Sequence, residues 1–166
     1  MKRTIAIVAG GDSSELVVSL RSAQGLYSFI DKERYNLYIV EMEGHRWEVV
    51  LPDGSKTPID RNDFSFMENG EKKQFDFAYI TIHGTPGENG ILQGYFDLLG
   101  IPYSSCNVLV SAMTFNKFTC NQYLKGFGIR VAESLILRKG FEITDEEVIN
   151  LSLIHISEPT RLQLIS

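Results

Sequence analysis

The sequence predicts an α/β domain in which helices flank a mostly parallel sheet, and three observations support this prediction. Near-continuous apolar runs at residues 4–9 and 77–82 are typical of parallel strands buried on both faces. A glycine-containing turn follows each run. Segments with apolar residues at helical spacing alternate with the strands, and this alternation implies right-handed crossovers between parallel strands.

The chain begins with a strand, a glycine turn and a helix. The strand covers residues 4–9 and ends at Gly10-Gly11. From Glu15 to Asp31 apolar residues recur at helical spacing, which predicts a helix. Its predicted N-cap residues are small and polar: Asp12, Ser13 and Ser14.

A second strand and a hairpin come next. Residues 35–42 form the predicted strand, and residues 47–51 and 56–59 form the hairpin around a Pro-Asp-Gly turn. Residues 60–74 are polar and contain Asn69-Gly70, which is typical of an irregular connection.

The rest of the chain alternates in the same way. The strand at 77–82 runs into His83-Gly84, an amphipathic helix at 91–99 is ended by Gly100, and Pro102-Tyr103 opens a short extended piece. The remaining predicted elements are helices at 108–113 and 116–125 closed by Gly126 and Gly128, a strand at 131–137, and a last helix that Thr144 caps and that includes residues 145–147.

Composition and charge exclude several classes of protein. The chain has 166 residues, of which 43% are apolar and 22% charged, as in a soluble globular protein. Its apolar runs are far shorter than the ~20 residues of a spanning helix. The N-terminus lacks the features of a signal peptide, so we expect no membrane partner and a cytoplasmic location.

The net charge of −5, from 16 basic and 21 acidic residues, argues against a nucleic-acid partner, because such binding depends on clustered cations. The two cysteines, Cys106 and Cys120, have neither the spacing of a metal site nor the number of a disulfide framework. This agrees with a reducing compartment.

The loop at residues 10–15 is the first candidate for a functional site, because open parallel sheets bind ligands at the carboxyl ends of their strands. Its small residues could let backbone amides and a helix N-terminus face an anion. It has neither the dinucleotide-binding nor the P-loop glycine spacing. The alternative is simple helix capping, with Glu15 complementing the helix dipole.

The loop at residues 83–90 is the second candidate. It contains three glycines, a proline, His83 and Glu88 directly after a buried strand. The glycines allow a ligand to approach the backbone, and imidazole donates or accepts a hydrogen bond near neutral pH. The alternatives are a structural or solvated His83 and a Glu88 that caps the helix after Gly90.

Four motifs in the same order resemble the D-alanine–D-alanine ligase family of the ATP-grasp superfamily. They are HGTPGENGILQG at 83–94, GIPY at 100–103, SAMTFNK at 111–117, and GGDSSE at 10–15 with VSL at 18–20. The resemblance extends from residue 4 to about residue 150. It implies that residues 1–115 are the family's Rossmann-like N-terminal domain, which precedes the ATP-grasp domains, and that residues 116–150 are the truncated start of the ATP-grasp central domain.

The resemblance implies an enzyme that joins two D-alanines for peptidoglycan synthesis with ATP and Mg²⁺ or Mn²⁺, through an acyl phosphate, and that works as a homodimer. By position, Glu15 would bind the ammonium of the first D-alanine and His83 would lie beside its reacting carboxylate. Lys117 would contact ATP phosphates. Ser19 and Glu88 would hold in place the residues that contact the substrate.

The sequence departs from the family's usual pattern at several positions. Asn89 and Asn116 replace common aspartates, and Ser105-Cys106-Asn107 replaces a more usual Gly-Ser-Gly. The metal-binding carboxylates of the family would lie beyond Asn150, so no metal ligand is assigned to this chain, and we expect the chain as printed to be inactive.

The last sixteen residues, 151–166, are predicted to be non-native. Residues 151–161 match the in-frame translation of a common transposase sequencing adapter, so no native element is predicted there.

Two other classes of function stay open at this point. A free-standing Rossmann-like nucleotide-binding domain of an oxidoreductase would use Glu41 as the acid that ends strand two, but its glycine fingerprint is missing. A non-catalytic partner-binding domain would expose an apolar face.

Overall fold

The computed structural model describes residues 2–136, 140, 144, 146, 148 and 149. It divides the chain into two compact units, with the boundary between Phe115 and Asn116. The first unit confirms the predicted α/β class. The strands are β1 (Arg3–Gly10), β2 (Tyr35–Glu43), β3 (Arg46–Val50), β4 (Lys56–Pro58), β5 (Phe66–Glu68), β6 (Glu71–Lys73) and β7 (Phe77–Ile80). The helices are α1 (Leu16–Phe29), α2 (Ile91–Leu99), α3 (Val108–Phe115) and, in the second unit, α4 (Lys117–Gly126).

The main sheet has five strands in the order β4-β3-β2-β1-β7. Strand β1 pairs in parallel with β2 and with β7, so that Ile5 lies between Leu37 and Phe77. The hairpin of β3 and β4 is added in antiparallel fashion beside β2. Tyr103 forms a parallel bridge to Ala78, which confirms the predicted extended piece. Because β1, β2 and β7 are parallel, their carboxyl ends lie at one edge of the sheet.

The central strand is buried on both faces, as the apolar run at 4–9 predicts. Ala6 and Val8 belong to a large core cluster that contains the fully buried Phe96 of α2. Ile7 and Ala9 face the opposite way, where they pack with Ala23 and other residues of α1. Alternate side chains of a strand point to opposite faces, so this run is covered by helices on both sides.

The segment at residues 60–74 differs from the predicted irregular connection. It contains the β5–β6 hairpin, which turns at Asn69 and Gly70, both with positive φ. Three aromatic side chains in and beside this segment are buried: Phe64, Phe66 and Phe75. The rings of Phe66 and Phe75 stack with centroids 5.1 Å apart. A few aromatic residues spaced among polar ones anchor this segment, since each buries a large area.

The start of α1 corrects the predicted N-cap. The helix begins at Leu16 with Glu15 as its N-cap, and no side chain caps it. The Asp12 carboxylate instead accepts the N–H of Gly44 (2.7 Å), and the Ser13 hydroxyl reaches His83. Asp12 and Ser13 thus bond to distant segments, so local capping rules did not identify their partners.

The other element predictions in the first unit have mixed outcomes. Helix α2 ends at Gly100 in the left-handed conformation, as expected of a glycine C-cap (φ 67°). The predicted strand at 77–82 is shorter, because β7 ends at Ile80.

The second unit contains α4, which agrees with the predicted helix at 116–125. Its N-cap is Asn116, whose side-chain oxygen accepts the N–H of Thr119 at 3.0 Å. The predicted strand at 131–137 is wrong over residues 131–136, which form no strand; residue 137 lies outside the described residues. A strand needs a neighbour for its hydrogen bonds, and among the described residues none pairs with this run.

The predicted last helix falls partly outside the described residues, since 145 and 147 are not among them. The N–H of Val148 donates to the carbonyl of Thr144 at 3.3 Å, which is a helical hydrogen bond. The predicted non-native tail at 151–166 also lies outside the described residues. Among the helices that the structure describes, none has the length and apolar character needed to cross a bilayer.

Candidate functional site

The two loops that the sequence singles out meet at the carboxyl edge of the sheet. We call residues 10–15 the first loop and residues 83–90 the second loop; they follow the adjacent parallel strands β1 and β7. The N–H of Asp12 donates to the carbonyl of Thr85 at 3.0 Å. The Ser13 hydroxyl donates to the carbonyl of His83 at 2.9 Å. Two hydrogen bonds therefore join the loops directly.

The glycines of the first loop allow the backbone to approach its neighbours closely. Gly10 has φ +104°, and a Cβ atom there would lie 2.2 Å from the carbonyl oxygen of Met42. A Cβ atom on Gly11, with φ +98°, would lie 2.5 Å from the Ile82 side chain. Only glycine fits at either position.

The backbone amides of residues 10–12, in the first loop, do not form an anion cradle. Those of Gly10, Gly11 and Asp12 donate to the Ser19 hydroxyl, the Met42 carbonyl and the Thr85 carbonyl respectively. Because these three N–H groups have protein partners, they are not free for a ligand anion. The anion-binding interpretation of this part of the loop is wrong, and its glycines serve packing.

Ser19 lies beneath the first loop and is fully buried. Its hydroxyl oxygen accepts the N–H of Gly10 at 2.9 Å and lies 3.4 Å from Oγ1 of Thr81. The Thr81 hydroxyl donates in turn to the carbonyl of Val8 at 2.9 Å. Ser19 therefore holds the end of β1 in place, and it is not among the residues that line the cavity beside His83.

Glu88 closes the second loop. Its carboxylate accepts the N–H of Gly84 at 2.7 Å, and its own N–H donates to the carbonyl of Gly84 at 2.8 Å. The N-cap of α2 is Gly90, without any side-chain cap, so the interpretation of Glu88 as a helix cap is wrong. The carboxylate instead fixes the backbone beside His83.

A cavity of about 230 Å³ lies along the second loop. Its lining combines polar side chains with the end of β7: Ser22, Ile80, Thr81, Ile82, His83, Gly87, Glu88 and Ser105. His83 is half-buried, and within residues 2–136 its imidazole has no hydrogen-bond partner. The ring is therefore free to bind a ligand at the cavity.

Glu15 lies on the first loop and is exposed. Its backbone N–H donates to the Ser13 hydroxyl at 3.2 Å, and within residues 2–136 its carboxylate has no partner. It does not line the cavity beside His83 in the described structure. The structure thus brings His83 and Glu88 to one cavity and places Glu15 on the loop bonded to His83.

Gln93 is a residue that the sequence analysis missed. Its side chain is fully buried in α2, and its amide nitrogen donates to the carbonyl of Gly87 at 2.6 Å and to the hydroxyl of Ser105 at 2.8 Å. A glutamine between Leu92 and Phe96, on the apolar face of a predicted helix, was the available signal.

Glu41 is engaged elsewhere. It lines a smaller cavity of about 110 Å³ between the first loop and the β2–β3 hairpin. Its carboxylate forms an ion pair with Lys56 at 2.5 Å. An acid paired in this way is a poor candidate for the ribose-binding residue of a Rossmann-like nucleotide site.

The second unit contributes Lys117, which is exposed at the first position of α4. Among the described residues, no group of three or more His, Cys, Asp or Glu side chains is placed to hold a metal ion. Cys106 and Cys120 are free thiols.

Comparison with known proteins gives a consistent result. The family model described as the D-ala D-ala ligase N-terminus matches residues 4–106. The D-alanine–D-alanine ligase of Bacteroides fragilis (strain YCH46) is 74% identical over 149 residues, which cover 90% of this chain and 46% of that protein. The chain therefore spans less than half the length of this curated relative.

Two solved structures show the same likeness. D-alanyl-alanine synthetase A of Vibrio cholerae superposes with a TM-score of 0.74 at 30% identity, covering 90% of this chain and 44% of that one. The D-alanine–D-alanine ligase of Bacillus anthracis, solved in complex with ATP, superposes with a TM-score of 0.68 at 27% identity, covering 90% and 43% respectively.

Proposed function

The chain belongs to the D-alanine–D-alanine ligase family, and from this premise we propose that it provides the first-substrate side of an ATP-dependent ligase that joins two D-alanines for peptidoglycan synthesis. One observation carries the proposal. Two loops bonded through Ser13 and His83 present a carboxylate, Glu15, and an imidazole, His83, that have no partner within residues 2–136.

The two side chains suit the two ends of an amino acid. A carboxylate such as Glu15 pairs with an ammonium through charge-assisted hydrogen bonds. An imidazole such as His83 donates a hydrogen bond to a carboxylate oxygen and stabilises the negative charge that develops there. We therefore assign the ammonium of the first D-alanine to Glu15 and its carboxylate to His83.

The proposed reaction is the one expected of a ligase of this family. The terminal phosphoryl group of ATP passes to a carboxylate oxygen of the first D-alanine, and ADP leaves. The amine of the second D-alanine then attacks the carbonyl carbon, so that a C–N bond forms, phosphate departs and the amine loses a proton. Holding the first D-alanine at both ends lowers the entropic barrier to this attack.

Lys117 is the proposed contact to the ATP phosphates. It is an exposed cation at the start of a helix, where the helix dipole favours an anion. The ATP complex of the related Bacillus anthracis ligase supports nucleotide binding in this family. The described residues do not fit a magnesium site, so no step is assigned to a metal ion here.

Ser19 and Glu88 are proposed as supports, since each holds a loop backbone by a hydrogen bond to an N–H group. A cytoplasmic location, a homodimer and the lack of a nucleic-acid or membrane partner stay predictions.

The test is phosphate release by the complete enzyme, expressed from the whole coding sequence of its source genome, on addition of ATP, magnesium and D-alanine. We expect release that depends on D-alanine. Glu15→Gln and His83→Ala should each reduce it roughly 10- to 100-fold, because a hydrogen bond to a charged group contributes about 1.5–3 kcal/mol.

Matched controls are available on the same unit. Glu33 and His45 are exposed, so Glu33→Gln and His45→Ala should leave the rate unchanged. The absence of any D-alanine-dependent release in the complete enzyme would remove the ligase proposal.

A further inference from the structure

Gln93 connects two segments that line the cavity beside His83. Its amide nitrogen donates both to Gly87 of the second loop (2.6 Å) and to Ser105 (2.8 Å). Both acceptors line the same cavity as His83. One buried amide group therefore spans the wall of the proposed substrate site.

The orientation of this amide is determined by its partners. The carbonyl of Gly87 can only accept a hydrogen bond, so the nitrogen of Gln93 and not its oxygen must face it. The other amide atom, Oε1, is buried and has no hydrogen-bond partner among the described residues. An unpaired buried carbonyl is unfavourable, and an apolar side chain of the same shape would avoid that cost. An apolar side chain would therefore stabilise the fold at least as well as Gln93, so stability alone does not explain a glutamine at this position.

The segment at 104–107, to which Gln93 bonds, is itself held in place by hydrogen bonds to β7 and α3. The hydroxyl oxygen of Ser104 accepts the N–H of Ile80 at 3.0 Å, at the end of β7. The Ser111 hydroxyl donates to the carbonyl of Cys106 at 3.1 Å, which ties the segment to α3. A loop bonded to this segment takes its position from the sheet and from α3.

The second loop is also packed closely on the side that faces away from Gln93. Gly87 lies so close to Ile82, which follows β7, that a Cβ atom on it would lie 2.5 Å from the carbonyl oxygen of Ile82. The loop is thus confined between Ile82 and the amide of Gln93.

We propose that Gln93 is a positioning residue, which holds the second loop against the segment at 104–107 and so sets the place of the His83 imidazole relative to the first D-alanine. The identity of the substrate in this inference rests on the proposed ligase function. The effect of Gln93 on the position of His83 rests on the geometry alone.

The first test is Gln93→Met in the complete enzyme, since methionine keeps the length of the side chain but removes the donor. We expect kcat/KM for D-alanine at the first site to fall, by up to about 100-fold for a displacement near 1 Å, with KM for ATP unchanged. The exposed Gln24 on α1 supplies the control, and Gln24→Met should change neither value. A wild-type kcat/KM for D-alanine in Gln93→Met would overturn the proposal.

The second test does not require activity. The imidazole proton resonances of His83, assigned by their loss in His83→Asn, should shift in Gln93→Met and stay in place in Gln24→Met. Unshifted resonances would overturn the proposal even in an active enzyme. If the enzyme lacks D-alanine-dependent activity but the resonances shift, the ligase proposal fails and the positioning role stands.

Ser105→Ala provides a second variant if Gln93→Met does not fold. It removes one of the two acceptors, so we expect a smaller shift of the same His83 resonances. Where Gln93→Met does fold, adding Ser105→Ala to it should change the resonances little, because Gln93→Met has already removed the hydrogen bond to Ser105. Unchanged His83 resonances in Ser105→Ala would contradict the bridge.

Discussion

The hydroxyl of Ser13 donates a 2.9 Å hydrogen bond to the main-chain carbonyl of His83, across 70 positions of the sequence. The parallel pairing of β1 with β7 brings the two residues to one edge of the sheet. The bond uses the backbone of His83 and leaves its imidazole free. Ser13 therefore joins the two loops of the proposed substrate site without occupying its functional groups.

Ser13→Ala should lower the free energy of unfolding by about 1 kcal/mol, the usual contribution of a hydrogen bond. It should also speed hydrogen exchange at the N–H of Asp12, which donates across the same junction. Chemical denaturation and amide exchange measure these effects. The neighbouring Ser14 is exposed, and Ser14→Ala should change neither; equal effects of the two substitutions would contradict the role of the Ser13 bond.

Gly10→Ala should destabilise the first unit by at least about 1–3 kcal/mol, the usual cost of one strained backbone position. The new Cβ atom would lie 2.2 Å from the carbonyl oxygen of Met42, at a backbone φ of +104°. Gly25 provides the matched comparison, because it lies within α1 and a Cβ atom there meets nothing within 4 Å. Gly25→Ala should stabilise by up to about 1 kcal/mol. Thermal unfolding of both variants tests the pair, and a stable Gly10→Ala protein would refute the close approach.

Phe64→Ala should cost about 3–5 kcal/mol, as expected for the loss of a buried aromatic ring. The Phe64 ring is fully buried and lies with its centroid 5.0 Å from that of Phe96. Phe29 is 88% exposed, so Phe29→Ala should alter stability by no more than about 0.5 kcal/mol. Urea denaturation of the two variants compares them. If Phe64→Ala lowers the free energy of unfolding as little as Phe29→Ala does, the segment at 60–74 is not part of the core.

Stability above pH 10 should depend on Tyr95. Burial, followed by the nearby carboxylates of Asp63 and Asp60, raises the pKa of Tyr95 from 10.0 to about 12. The folded state thus favours the neutral phenol, so this contribution is complete below pH 10 and disappears as the pH rises through about 12.

Between pH 10 and pH 12 the free energy of unfolding should therefore decrease less steeply in Tyr95→Phe than in the wild type. Denaturant unfolding at a series of pH values gives the slope for each protein. The same slope in the wild type and in Tyr95→Phe would show that the Tyr95 pKa is not raised by the fold.

Local patterns account for the elements that were predicted correctly. The buried run of β1 and the amphipathic turns of α2 ending at Gly100 are visible in a few consecutive residues, because periodicity and capping are local properties. The hairpin between residues 60 and 74 was missed because its stability comes from Phe64 and Phe66 packing against distant parts of the core. The strand predicted at 131–137 had the right composition but no neighbouring strand among the described residues.

The sequence by itself determined the α/β class, the family and the identity of the candidate residues Glu15 and His83, because these depend on residue types and their order. Only the tertiary structure decided which polar groups are already paired: the amides of Gly10 and Gly11 bond within the protein, and Gln93 bridges Gly87 to Ser105. The physical reason is that a hydrogen bond depends on distance and direction in space. Its partners lie on segments far apart in the sequence, and the packing of β1 against β7 and of α2 beneath the second loop brings them together.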